Sequence, residues 1–173
     1  VEGDGEWIAM NYMDWMDLCA FADWAGLRPM TELEFEKACR GTKDPVLGEY
    51  AWGTTAGNIW DGTHYTDRSC ISESLIYHWA EDEFRMNVRG NGSDGPLRVG
   101  SFAATFVGSR IDSGATCWGA VEMSGNVLEQ HVPVTLEDSL DFAGTHGDGV
   151  LSLYGFATNP DWPGFVVDGV KLN

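Results

Sequence analysis

The residues best able to do chemistry in this sequence are its carboxylates, cysteines and histidines. Twenty-seven Asp and Glu face ten Lys and Arg, giving a formal net charge of −17 over 173 residues. Clustered carboxylates repel one another unless a cation neutralises them, and calcium does so through hard oxygens from Asp, Glu, Asn and backbone carbonyls. The alternative is a solubilising acidic surface. In either case the charge opposes binding to nucleic acid or to an anionic membrane face. Cys19, Cys39, Cys70 and Cys117 form no Cys-x-x-Cys pair and show no Cys/His spacing of a zinc site, which argues against structural zinc. Cys19 and Cys39 fall in helical patterns among apolar residues, where a buried free thiol is the usual state and a disulfide the minority one. Asp61, His64 and Asp67 share one loop and could hold a transition metal, although a loop histidine beside aspartates is more often a surface hydrogen-bonding residue. His146 and Asp148, in GTHGDG, form a second acidic turn, for which a glycine-rich loop with positive φ is the plainer account. The eight tryptophans could include sugar-stacking faces, but packing is their commoner role. Trp162, in NPDWPG, is the one expected to be an exposed contact.

Few regular elements are available to position these groups. The length suits a single domain over residues 1–173, and 22 glycines with 8 tryptophans describe a compact fold rich in tight turns. Met10–Ala25 is apolar around most of a helical circumference, with Asp14, Asp17 and Asp23 as exceptions, so a largely buried helix stopped by Gly26 is predicted. Thr31 and Glu34 are spaced as a capping box, and Glu36, Arg40 and Gly41 supply an i,i+4 ion pair and a terminator for a second helix. From Thr42 onward periodicity fades and Gly, Asn, Asp, Ser and Thr recur, predicting long ordered loops of the kind that metal ions can fix. Short strands are expected around Leu97–Phe102, Val127–Val134 and Phe165–Val170. There is no run of eighteen apolar residues, so no membrane span is expected. VEGDGEW lacks the basic and apolar regions of a signal peptide and the chain begins without methionine, which fits a processed protein or an internal piece and leaves location open.

Three segments in order, GLRPMTELEFEKACRG with EYAWG, then GNIWDG, then GAVEMSGNVLEQ, resemble the formylglycine-generating-enzyme family, also called the sulfatase-modifying-factor domain. That family carries a Leu-Pro-Thr-Glu-x-Glu-Trp-Glu helix start, a Trp-Gly and a Met-x-Gly-Asn-Val-x-Glu turn. The resemblance covers residues 10–135, and RPMTELEFEKACRG looks most like secreted and surface versions from Bacteroidota, which implies an extracellular or cell-surface location. The fold implied is α+β and C-type-lectin-like: loop-rich, with two main helices, small twisted antiparallel sheets and one or two bound calcium ions. For one ion the resemblance implies the Asn58 side chain and Ile59 carbonyl, completed by the Asp94 carboxylate and the Pro96 carbonyl. For the other it implies the carboxylates of Glu122 and Glu129 with the carbonyls of Gly125 and Val127. The chemistry agrees, because calcium takes six to eight hard oxygens and two carboxylates flanking a glycine-containing turn can offer several.

Catalytic relatives hold copper through two cysteines that follow an Arg-Gly-Gly-Ser-Trp-like segment and precede a Gly-Phe-Arg signature. Here the chain reaches DWPGFVVDGVKLN where those elements would begin, and none of the four cysteines falls at a matching position. Copper(I) chemistry of that kind needs a thiolate pair, so the expectation is a non-catalytic binding or structural module. The histidines used by iron-dependent relatives cannot be placed either. The same comparison predicts that the polypeptide continues past Asn173 or that a neighbouring chain donates strands, as in a surface assembly or filament. A protein partner or self-assembly is thus the first expectation, a copper-dependent oxidase the second and calcium-dependent glycan binding the third.

Overall fold

A computed structural model of the chain describes residues 7–55, 65–66, 74–75, 96, 99–100, 110–111, 113–135, 137–167 and 170–172. Its elements are helices α1 (Trp15–Trp24) and α2 (Glu32–Arg40), strands β1 (Tyr65–Thr66) and β2 (Ser74–Leu75), a 3-10 turn at Glu137–Ser139, and strands β3 (Phe165–Val167) and β4 (Val170–Leu172). The chain divides into two compact units, each discontinuous in sequence. One comprises Val1–Asn11 and Glu36–Leu128, and the other Tyr12–Phe35 and Glu129–Asn173. No helix among the described residues is long and apolar enough to cross a membrane.

The second unit is organised by α1. Asp14 caps it: its carboxylate accepts the Asp17 N–H at 2.9 Å, and the Asp17 carboxylate accepts the Asp14 N–H at 3.2 Å. This reciprocal box satisfies two of the donors that a helix start leaves orphaned. At the other end Gly26 takes φ +68, the Leu27 N–H reaches back to the Ala22 carbonyl at 2.8 Å and the Gly26 N–H to that of Asp23 at 3.1 Å. That is the paired left-handed cap expected of a glycine stop. Cys19 and Ala22 face inward onto Ala157 and Trp162, with Trp15, Leu18 and Phe142 packed around them.

Two expectations are corrected here. Trp162 is not an exposed contact: it is 0 % exposed, and its indole N–H donates to the Thr145 carbonyl at 2.9 Å. An indole with its single donor satisfied is a good core residue, and the Asp161 beside it turns inward as well. The Asp161 carboxylate accepts the Ala143 N–H at 3.1 Å, the Thr145 N–H at 3.3 Å and the Thr145 hydroxyl. Nor is α1 the largely buried helix expected from a circumference that is mostly apolar. Phe21 and Trp24 face solvent, 53 % and 65 % exposed, whereas Asp23 is completely buried.

Asp23 can be buried because each of its carboxylate oxygens accepts a backbone donor. Its carboxylate accepts the Asp148 N–H at 3.0 Å and the Thr158 N–H at 2.9 Å, while its backbone carbonyl takes the Gly149 N–H at 3.0 Å. A buried carboxylate is tolerated when hydrogen bonds replace its water. Gly147 makes the approach possible, since a Cβ there would overlap the Cα and carbonyl of Asp23.

The first turn of α2 carries the expected box, with the Thr31 N–H donating to Glu34 Oε2 at 2.8 Å and the Glu34 N–H to Thr31 Oγ1 at 3.2 Å. Arg28 grips the same carboxylate with both guanidinium nitrogens. The strand expected over Val127–Val134 is reduced to a single parallel bridge between Thr31 and Val132, with coil on either side. The run expected as one strand from Phe165 is an antiparallel hairpin, Phe165 opposite Leu172 and Val167 opposite Val170. The intervening Asp168-Gly169 is a strong tight-turn signal in the sequence.

In the first unit, the rest of α2 ends at Gly41 with φ +70. Arg40 closes the expected pair with Glu36 at 2.7 Å and adds Glu49 at 2.8 Å. Trp52 is fully buried with its ring stacked on Tyr50 at a centroid distance of 4.6 Å. Strands β1 and β2 pair antiparallel, Tyr65 with Leu75 and Thr66 with Ser74. Of the stretch expected as a strand over Leu97–Phe102, Val99 and Gly100 form a turn and the remainder lies outside the described residues. Cys19, Cys39 and Cys117 are free thiols, the first two buried as expected. Cys70 lies outside the described residues.

Candidate functional site

The arrangement most capable of chemistry is the turn at residues 121–127 of the first unit. A rigid loop leads into it. Thr116, 1 % exposed, accepts the N–H groups of Trp118 and Ala120 on its hydroxyl, both at 3.2 Å, while its own N–H donates to the Ala120 carbonyl at 2.8 Å. The Trp118 indole N–H then docks on the Lys37 carbonyl of α2 at 3.1 Å. Bare Gly41 makes room alongside, because a Cβ there would lie 2.5 Å from Cys117 Sγ.

Within the turn the backbone is held in an uncommon state. Glu122 at φ +62, Gly125 at +101 and Asn126 at +64 all occupy positive φ. For residues other than glycine that state costs about 1–3 kcal/mol each and persists only where the surroundings impose it. The surroundings here are identifiable. Glu122 Oε1 accepts the Gly100 N–H at 3.1 Å, Ser124 Oγ accepts the Ala51 N–H at 3.0 Å, and the Met123 carbonyl faces the Cys39 thiol at 3.9 Å. Such reversals swing successive carbonyls to different sides, so a short turn can offer main-chain and carboxylate oxygens to one hard cation.

Of the residues expected at this ion, Glu122, Gly125 and Val127 are all half-buried in the turn. Glu129 belongs to the other unit, where it too is half-buried. Burial pushes its carboxyl above the usual carboxylate range, against smaller opposing contributions from its own backbone N–H and the charge of His131. Desolvation disfavours the bare anion, and a bound cation would reverse that. For the other ion only Pro96 is described, as a half-buried coil residue. Asn58, Ile59 and Asp94 lie outside the described residues, as do Asp61, His64 and Asp67.

The acidic turn at His146 and Asp148 has a structural role. The Asp148 carboxylate accepts the Val150 N–H at 2.8 Å, its own N–H goes to Asp23, and the His146 carbonyl accepts the Asn159 amide at 3.1 Å. Among the described residues no three His, Cys, Asp or Glu side chains gather as a transition metal would require. A calcium site of two carboxylates and several carbonyls does not need three. The structural role of the buried Asp23 has no local signal in the sequence, since its partners lie 125 and 135 residues away.

Comparison with known proteins places residues 9–133 in the family described as "Sulfatase-modifying factor enzyme 1-like domain". A relative named "Formylglycine-generating enzyme", from Thermomonospora curvata, is 44 % identical over 59 residues, which is 30 % of this chain and 19 % of that protein. No solved structure matches the chain.

Proposed function

The chain belongs to the sulfatase-modifying factor enzyme 1-like (FGE-sulfatase) family, and from that premise we propose a non-catalytic binding or structural module of C-type-lectin-like fold whose loops are ordered by calcium. The observation that carries the reading is the 121–127 turn, where Glu122 and Asn126 are held at positive φ around Gly125. Glu122 and the carbonyls of Gly125 and Val127 are the proposed ligands there, and Glu129 is a proposed carboxylate ligand on its own merits, as a desolvated acid. Asn58, Ile59, Asp94 and Pro96 are the proposed ligands of a second ion. Calcium would contribute order and not chemistry: it binds folded loops and not unfolded ones, so its binding free energy becomes stability. The module would act at the cell surface or outside the cell, through a protein partner or self-assembly, with glycan binding as the lesser alternative.

The thiols support the non-catalytic part. Burial, with a smaller contribution from the charge of Asp23, pushes the Cys19 thiol up to about 12, and Cys39 is buried beneath the Met123 carbonyl. The raised Cys19 thiol does not present the thiolate that binds copper(I), Cys39 is shielded from solvent, and Cys117 is the one exposed free thiol among the described residues, where copper(I) chemistry of that kind needs a pair. The second reading is a copper-dependent oxidase, favoured by the name of the bacterial relative.

The test is thermal unfolding in chelator, calcium or magnesium. With calcium at a hundred times its dissociation constant, one site adds about 2.7 kcal/mol. For this chain length that raises the melting temperature by roughly 5–10 °C. Glu122→Gln, which keeps the acceptor for Gly100 and removes the charge, should abolish most of that rise. Identical melting in chelator and calcium would refute the reading, and copper-dependent oxygen consumption with a cysteine peptide would replace it by the oxidase.

A further inference from the structure

Helix α1 spends its inner face on the core and leaves an organised outer one. Asp14, Asp17, Phe21 and Trp24 are spaced i, i+3, i+7 and i+10, so they form a single stripe along the helix. All four are exposed, and the inward-facing Cys19 and Ala22 supply this helix's share of the core without them. The stripe is graded: two carboxylates at the N-terminal end, then an aromatic pair with rings 6.1 Å apart at the C-terminal end. The apolar end is extended by Leu27 and Val150, 53 % and 60 % exposed. Both are fixed beside the helix terminus, Leu27 by its carbonyl's bond from the Gly147 N–H at 2.7 Å and Val150 through the Asp148 side chain. Asp148 places another exposed carboxylate next to Val150. No lysine or arginine occurs in α1, and the nearest in sequence, Arg28, is engaged by Glu34.

Exposed aromatics on a helix whose charged residues are all acidic define their partner by complementarity. We infer that this stripe is a docking surface for a basic amphipathic segment of another polypeptide, in which an aliphatic or aromatic anchor meets Phe21 and Trp24 and a Lys or Arg meets Asp14 and Asp17. Seven residues of helix separate Asp17 from Trp24, about 10 Å. The partner therefore carries its cation that far from its anchor, two helical turns or about three extended residues away. Lys or Arg next to the anchor adds cation–π attraction to Trp24. A second copy of this chain is disfavoured on the same face, because each copy brings a net charge of −17. The inference deepens the proposed binding function by naming a partner chemistry, and the calcium titration and the one below can fail separately.

The test is isothermal titration of the intact chain with a short amphipathic Leu/Lys helical peptide and its Leu/Glu counterpart, at about 0.15 M salt so that weak surface attraction is screened. The Leu/Lys peptide should bind and the Leu/Glu peptide should not. The double variant Phe21→Ser, Trp24→Ser, which keeps every carboxylate, should lose at least tenfold in affinity with an unchanged circular dichroism spectrum. Trp24→Lys, a single exposed change compatible with the helix, should abolish binding of the basic peptide and so keeps the test decisive if the double variant unfolds. Equal binding by parent and variants would reduce the effect to the overall charge and overturn the inference. So would equal affinity for the two peptides, or a Trp24-dependent dimer in sedimentation without peptide, which would assign the face to a second copy.

Discussion

Replacing Asp23 by alanine removes the acceptor for two backbone N–H groups, those of Asp148 and Thr158, at 3.0 and 2.9 Å. Hydrogen bonds to a charged acceptor contribute about 1.5–3 kcal/mol each. Asp148 and Thr158 are themselves exposed residues, so water can partly replace the lost acceptor, and the lower end applies. The expected loss is about 3 kcal/mol, a fall in melting temperature of roughly 6–12 °C at this chain length. Asp23→Asn retains one acceptor oxygen and should lose about half as much. The assay is urea denaturation of parent and variants, with the midpoint falling while the slope stays fixed. Gly147→Ala attacks the same junction from the other side, because its Cβ would overlap the Asp23 backbone. Since each change loosens what the other relies on, the double variant should be less unstable than the sum of the singles. An Asp23→Ala chain that unfolds within about 1 °C of the parent, a few tenths of a kcal/mol, would refute the account of that carboxylate as the tie between α1 and residues 147–158.

Three further outcomes follow from particular groups. The Arg28 guanidinium and then the Thr31 N–H hold the Glu34 carboxyl down at about 2, from an ordinary 4.5. A depressed acid stabilises above its unfolded value, so Glu34→Gln should cost about 1 kcal/mol at neutral pH after discounting for solvent screening. That difference should disappear as pH falls from 4.5 towards 2, which acid-unfolding curves of the two proteins would reveal or disprove. Peptide mapping after brief alkylation should find Cys117 modified, and Cys19 only after denaturation, given its burial and a thiol raised to about 12. Trp162→Phe forfeits the bond to the Thr145 carbonyl and should destabilise by about 1–2 kcal/mol, which calorimetry can check.

The parts of the fold written in local sequence were readable and the rest were not. Thr31, Glu34, Glu36, Arg40 and Gly41 specify α2 within eleven residues, and each makes the interaction its spacing implies. The start of α1 was misjudged because Asp14 and Asp17 form a capping box from a less usual pair of residue types. Counted as interruptions of an apolar helix, they concealed its true N-terminus. Asp23 and Trp162 were misassigned for one reason: burial of a polar or amphipathic group depends on donors and acceptors supplied by distant chain, which no window of neighbouring residues contains. At the candidate site the sequence indicated Glu122, Gly125 and Val127, but not that Glu122 and Asn126 would both sit at positive φ. The contact that holds the Glu122 side chain comes from Gly100, 22 residues away, outside any local window.

The attachment of Asp23 to residues 148 and 158 bears on how the chain comes off the ribosome. At roughly 5–20 residues per second, α1 emerges something like 6–25 s before the Asp148 amide that completes it. During that interval the Asp23 carboxylate stays hydrated, which holds the inner face of α1 in water and delays burial of Cys19 and Ala22. A nascent chain lacking the 147–158 segment therefore offers both faces of the helix, inner and outer, to whatever chaperone or protease is nearby.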